Sequence, residues 1–459
     1  MLDLNHELSR SRRDNEQSQL RIPLWLTRDL VLIFLGRGLR SLSQGYLSIA
    51  VPIYVVMLGY GAVDLGILYT AGTLASALLT LLVGALADRL GRKALLIAVS
   101  IMATVGALGF AYGTSLSVLV VAAATGTIGQ GGVAGHGGAW GPYYPAEQAL
   151  VTEIVADRWR TSAFGALSFF GVCAGALGSL MAELPDQLHA HFQVAPISAY
   201  RILFLATAVL SLAMGLIVIP VRERPSRLSR GETARSGELA ARILGLSLSS
   251  WKLVGRFMLT NATNGLSIGI FSPFIVYWFH QRYGATATEL GTLFFATNLV
   301  AAVPYLAAGT FAARLGSVNT VVLTRILAAV LIGVMALMPS FWLAGTVFLV
   351  RMAANTLSIP VRQSYLMGVV PASERASAAG LSNFPLQVTR SLGTYLGGLL
   401  MQSFSLSSPF EVAAVIQLLN AALYYKFFRD VLPPEEREAR ETDSFESYAA
   451  TGSERCADR

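Results

Sequence analysis

Gly84-Ala85-Leu86-Ala87-Asp88-Arg89-Leu90-Gly91-Arg92-Lys93 sets four charges and two glycines between two apolar runs, 65–87 and 93–113. The frame returns as Gly309-Thr310-Phe311-Ala312-Ala313-Arg314-Leu315-Gly316, with Ala313 standing where the first copy has Asp88. Working outward, Asp64-Leu65-Gly66 matches Glu289-Leu290-Gly291, and Pro52 matches Pro273. Further on, Pro145-x-x-Gln148 matches Pro360-x-x-Gln363, and Arg160-x-Ser162-Ala163-x-Gly165 matches Arg375-x-Ser377-Ala378-x-Gly380. Such matches, kept in one order, make the chain an internal duplication of two related halves.

The solvent of those halves follows from composition. Of 459 residues, 54% are apolar and 13% charged, where soluble chains carry about 25% charged residues. A chain this apolar cannot hide its surface in a water-soluble core. A helix needs about 20 apolar residues to cross a bilayer. Runs of that kind fall near 29–58, 65–87, 93–113, 116–156, 160–182 and 199–221. The second half supplies 252–281, 288–313, 318–338, 341–370, 375–403 and 409–430. The expectation is an all-α membrane protein with twelve transmembrane helices in two six-helix pseudo-symmetric bundles. The bundles would occupy 29–221 and 252–430, joined by a polar linker at 222–251 and flanked by tails at 1–28 and 431–459.

The net charge of +7 reports topology. Lys and Arg concentrate in the tails and in every second loop, the asymmetry that places both termini in the cytoplasm. No nucleic-acid partner is implied. Cys173 lies in an apolar span and Cys456 in the polar tail, so no disulfide framework is expected. The polar, Arg-rich start lacks a cleavable apolar core, which leaves the first span as the targeting signal. No phosphate loop and no paired metal-ligand motif occur, so neither a primary pump nor a membrane enzyme is expected.

The 84–93 stretch closely resembles the G-x-L-A-D-R-x-G-R-K loop of the major facilitator superfamily, and length, spans and duplication extend that resemblance to the whole chain. It implies a secondary transporter in which Gly84, Asp88, Arg89, Gly91, Arg92 and Lys93 gate the cytoplasmic side. Two further family patterns are altered. R-x-x-Q-G appears as Thr127-x-x-Gln130-Gly131, and G-x-x-x-G-P as Gly171-x-x-x-Gly175-Ala176. Both departures weaken the likeness to a drug–proton antiporter.

Ionisable residues at membrane depth are costly and point to function. Arg37, Arg40 and Gln44 fall in the first span, His136, Trp140 and Glu147 in the fourth, Arg351 and Arg362 in the tenth, and Arg390 in the eleventh. At 1.5 Å per residue, Arg40 sits roughly 18 Å into its span. The repeat aligns Glu147 with Arg362, which predicts that the two face each other across the cavity. Arg325 is expected to snorkel to an interface. The glycine-rich run 131–142 opposes continuous helix, so a break is expected there, with His136 and Trp140 near substrate. Five deep arginines against Glu147 favour an anionic substrate, because the guanidinium fork binds carboxylates and phosphates bidentately.

The expected function is alternating-access transport of a small molecule, proton-coupled and cofactor-free, by a monomer among lipids of the plasma (inner) membrane. Multidrug or lipophilic-cation export by proton antiport is the alternative. A non-transporting receptor or scaffold of the same fold is the rival from another class.

Overall fold

The computed structural model describes residues 27–125, 141–155, 160–222, 248–370 and 375–431, with the backbone alone at some helical positions. Among them are fifteen α-helices and no strand. The first half holds α1 (Arg28–Met57), α2 (Ala62–Leu90), α3 (Arg92–Tyr112), α4 (Leu116–Ala123), α5 (Tyr143–Ile154), α6 (Arg160–Leu180), α7 (Leu184–Phe192) and α8 (Pro196–Val218). The second holds α9 (Leu248–Phe271), α10 (Ile275–Tyr283), α11 (Ala287–Leu315), α12 (Ser317–Leu337), α13 (Phe341–Val369), α14 (Arg375–Ser403) and α15 (Ser408–Phe428). α4 with α5 make the fourth span, and α9 with α10 the seventh, so the twelve-span, two-bundle reading holds. Six of these helices are long and apolar enough to cross a membrane by length and composition alone.

The repeated sequence signals mark helix ends. Gly91 joins α2 to α3 at φ +87°, and Gly316 joins α11 to α12 at φ +79°. A side chain at either joint would clash in that left-handed region, which accounts for glycine in both copies. Asp64 and Glu289 each sit third in their helices and accept from the backbone N–H of the capping residue, Gly61 or Thr286, at 2.9 Å. Thr286 completes a capping box by accepting from Glu289 N at 3.2 Å.

The matched prolines are accommodated differently in the two halves. Pro273 falls in a 3₁₀ turn, Ser272–Phe274, that splits the seventh span, because its ring removes a backbone donor and crowds the preceding turn. The matched Pro52 is accommodated inside continuous α1. In the fourth span α4 closes at Ala123 and α5 opens at Tyr143, just after Gly141 at φ +80°. The rest of the predicted break, with His136 and Trp140, lies outside the described residues. So do the side chains of Gly84, Asp88 and Arg89. Arg92 and Lys93, in the first turn of α3, are half-buried.

Within each bundle small residues bring helices together, as membrane packing favours. α1 packs on α6 and α9 on α14. A Cβ on Gly178 would lie 2.7 Å from the carbonyl carbon of Leu42, and one on Gly393 2.6 Å from the carbonyl oxygen of Leu266. The halves meet through α2 with α14 and α6 with α11. There a Cβ on Gly291 would sit 2.6 Å from the Ser179 carbonyl oxygen, and one on Gly66 3.4 Å from Cα of Gly398. Hydrogen bonds join Thr70 Oγ1 to Ser391 O at 3.2 Å and Ser391 Oγ to Thr73 Oγ1 at 3.1 Å. These contacts lie in the parts of α2, α6, α11 and α14 remote from the linker, where the two halves touch.

Candidate functional site

The deepest charges are carried by α1 and α5. Arg37 Nε donates to Glu147 Oε1 at 2.9 Å and Arg37 Nη2 to Glu147 Oε2 at 2.6 Å, a bidentate pair with both side chains 1% exposed. The Arg37 guanidinium also lies 5.4 Å from the Tyr144 ring centroid. Gln148 fixes that ring by donating to Tyr144 Oη at 2.6 Å. One turn along α1, Arg40 stands 5.3 Å from the Tyr143 ring centroid. Gly141 leaves it room: a Cβ there would come within 3.0 Å of Arg40 Nη2. Arg40 and half-buried Gln44 line a cavity of about 20 Å³ with Ser43, Tyr143, Thr207 and Ser211, room for roughly one water.

This geometry corrects the expected pairing of Glu147 with Arg362. Glu147 is held by Arg37 inside its own bundle, whereas Arg362 Nη1 donates to Asn261 Oδ1 at 2.9 Å. Asn261 is oriented in turn by donating from Nδ2 to the Ser382 carbonyl at 2.7 Å. The reason is distance along the fold. Side chains of the first and fourth spans meet within one half, and those of the seventh and tenth within the other. Each half therefore closes its own first-to-fourth contact. The repeat survives as a polar bridge of altered charge: Arg on α1 to Glu on α5, Asn on α9 to Arg on α13.

Arg325 is a second correction. It is 4% exposed and does not snorkel. It donates to Asn420 Oδ1 and stands 4.9 Å from the Tyr424 ring centroid. Asn420 Nδ2 reaches the Thr260 carbonyl and Thr263 Oγ1, each at 2.5 Å. One cation thus ties α12, α15 and α9. Arg351 is 5% exposed, 4.3 Å from the Phe271 ring centroid, and reaches Met352 Sδ at 3.3 Å. Arg390 is half-buried on α14, beside the Ser391 contact to α2.

The structure therefore brings Arg37, Arg40, Gln44 and Glu147 into one cluster and places Arg362 and Arg390 in the other bundle. Asn261, Asn420, Tyr143 and Tyr144 complete these networks and were not singled out in the sequence. A search for polar amides and tyrosines a turn from a deep arginine would have found them.

A sequence model described as the Major Facilitator Superfamily matches residues 33–256 and again 257–454. The chain belongs to the major facilitator superfamily. Among characterised relatives of that superfamily, the multidrug resistance protein MdtG of Escherichia fergusonii is 25% identical over 412 residues, covering 86% of this chain and 92% of that protein. MdtG of Salmonella arizonae is 26% identical over 417 residues, covering 87% of this chain and 95% of that protein. A solved bacterial homolog of the human lysosomal transporter Spinster, in an inward-facing and unoccupied conformation, superposes with a TM-score of 0.67 at 15% identity, covering 89% of this chain and 98% of that one. The chain is a membrane transporter of the superfamily and not an enzyme.

Proposed function

We propose that this transporter moves an organic anion by alternating access, coupled to protons, with both termini in the cytoplasm of an inner-membrane monomer. It needs no cofactor, since the proton gradient supplies the energy. One observation carries the reading. Among the described residues Arg37, Arg40, Arg325, Arg351, Arg362 and Arg390 lie within the spans, while Glu147 is the deep carboxylate among them and is already bound by Arg37. With one carboxylate to two guanidinium groups, the Arg37–Arg40–Glu147 cluster gains by taking in a carboxylate or phosphate.

Protonation of Glu147 removes the charge that holds Arg37 and frees its fork for a substrate anion. Proton and anion then favour each other's binding, and linkage makes that preference reciprocal. A cargo and proton that bind the same state travel together. The second reading is export of lipophilic cations, supported by the relationship to MdtG proteins. There cation and proton would compete at Glu147, and lowering the pH would weaken binding.

The test compares thermal stabilisation of the purified protein by aliphatic and aromatic carboxylates, phosphate esters and lipophilic cations at pH 6 and pH 8. A ligand that binds only the folded state raises the melting temperature with saturation. The expected result is stabilisation by one anion class, greater at pH 6, and lost in Arg40→Ala. Stabilisation by lipophilic cations alone, greater at pH 8 and abolished by Glu147→Gln, overturns the anion reading in favour of the second.

A further inference from the structure

The two bundles hold their deep cations in different ways. In the first, Arg37 is paired with Glu147. The aligned position of the second half carries Arg362, a cation where the other copy has its counter-ion. The carboxylates of that half's described residues are placed elsewhere: Glu289 accepts from Thr286 at the start of α11, and Glu411 and Asp430 are exposed. Arg325, 4% exposed, and half-buried Arg362 are thus withdrawn from water with no acid beside them. Buried charge of that kind is costly unless an anion completes it.

Four helices bring these two cations to one place. Arg325, on α12, donates to Asn420 Oδ1 and lies 4.9 Å from the Tyr424 ring centroid, both residues on α15. Asn420 Nδ2 donates to the carbonyl of Thr260 on α9 at 2.5 Å. The next residue, Asn261, accepts from Arg362 of α13 at 2.9 Å. One turn beyond Arg362, Tyr365 sets its ring centroid 6.5 Å from that of Tyr424. The two guanidinium groups are within electrostatic reach of each other and of Tyr424. Here a polar atom stands without a partner among the described residues: Tyr424 Oη, on a side chain that is fully buried. It cannot donate to arginine, which has no acceptor, and each guanidinium has given one of its five N–H donors to an amide. Every remaining group of the cluster is a donor.

We infer that a small inorganic anion, of the size of chloride, binds inside the second bundle between Arg325, Arg362 and the Tyr424 hydroxyl. The rings of Phe257, Tyr365 and Phe428 crowd Tyr424, which favours a monatomic ion over an organic acid. The site is set apart from the seams between the halves. α12 packs on α11, α13 and α15, and α15 on α9, α12 and α14, all helices of the second half. The ion is a counter-charge that ties α9, α12, α13 and α15 into one body, whatever the cargo proves to be.

The test is chloride binding by the purified full-length protein, read as melting temperature while chloride replaces gluconate at constant ionic strength. A saturable rise is expected. Tyr424→Phe removes one donor and keeps the ring and both cations. It should raise the apparent Kd for chloride about tenfold, the weight of one hydrogen bond to a charged group. Arg325→Gln should abolish the response, and Tyr424→Phe decides the matter if that variant does not fold. Arg40→Ala, in the first bundle, should leave the chloride response intact even where it removes stabilisation by an organic anion, which separates this site from the cargo site. Crystals of the parent grown in bromide should show an anomalous peak between Arg325, Arg362 and Tyr424 Oη. Equal melting in chloride and gluconate, a chloride response unchanged in Tyr424→Phe, or water alone at that position in the bromide crystals overturns the inference.

Discussion

At the scale of the residue, Glu147 and Arg37 are the pair on which stability and function both turn. A buried guanidinium left without its carboxylate is costly, so Glu147→Ala should lower folding stability by about 3–5 kcal/mol. Replacing both partners with methionine should recover much of that loss, since an apolar pair of similar volume avoids the desolvation penalty. Thermal unfolding of the purified single and double variants measures the difference, and equal loss in both would show that the pair is not what holds α1 to α5. Arg325 carries a sharper test. A snorkelling arginine can be shortened at little cost, but this one anchors Asn420 and covers Tyr424. Arg325→Met should cost about 1–3 kcal/mol, the price of a buried hydrogen-bond partner left unsatisfied. The sequence made Arg37, Arg40, Glu147 and Arg362 visible because charge in an apolar run is conspicuous. It did not show which of them touch, since a repeat establishes equivalent positions and not contacts. Asn261 and Asn420 escaped notice because an amide inside a span carries no charge to count.

At the scale of the element, the ends of most helices lie within a few residues of the apolar runs because both ends have a chemical cause. Gly91 and Gly316 supply left-handed joints, and Asp64 and Glu289 supply caps. What the sequence did not disclose is α7, nine residues of mixed polarity beyond the fifth apolar run, nor the 3₁₀ turn at Pro273, whose partner Pro52 stays within continuous helix. Hydropathy finds the segment that crosses lipid and is blind to a helix that continues beyond it. Glycines inside the spans divide by what faces them. A methyl on Gly178 would press on the α1 backbone at Leu42, whereas nothing lies within 4 Å of one on Gly333. Gly178→Ala is therefore expected to lose about 1–3 kcal/mol by overpacking. Gly333→Ala should gain about 0.5–1 kcal/mol from helix propensity. Unfolding of the two variants in one detergent should move their melting temperatures in opposite directions, and a shared direction would mean that the α1–α6 contact yields more easily than close packing implies.

At the scale of the whole molecule, the two halves meet along two seams. α2 and α6 of one half meet α14 and α11 of the other with glycine at each closest approach. The charged cluster of α1 and α5 and the Asn261–Arg362 bridge of α9 and α13 each lie inside a single bundle. That division has a mechanical consequence. Rocking the halves need not break the bridges that keep each bundle rigid, so the energy separating the end states resides in the α2–α14 and α6–α11 seams. Enlarging a residue in a seam should then shift the equilibrium without unfolding either bundle. Gly291→Leu is the cleanest case, because its Cβ would meet the Ser179 backbone of the opposite half, an atom that cannot turn aside. Overpacking of this kind costs about 1–3 kcal/mol, and here the molecule can relieve all of it by opening. Spin labels on Tyr112→Cys and Leu337→Cys, at the exposed tips of α3 and α12, should show the open population rising at least fivefold, the ratio that about 1 kcal/mol commands, while the melting temperature stays near that of the parent. A fall in melting temperature with no change in the label distance would mean that the seam belongs to the folded core rather than to the gate.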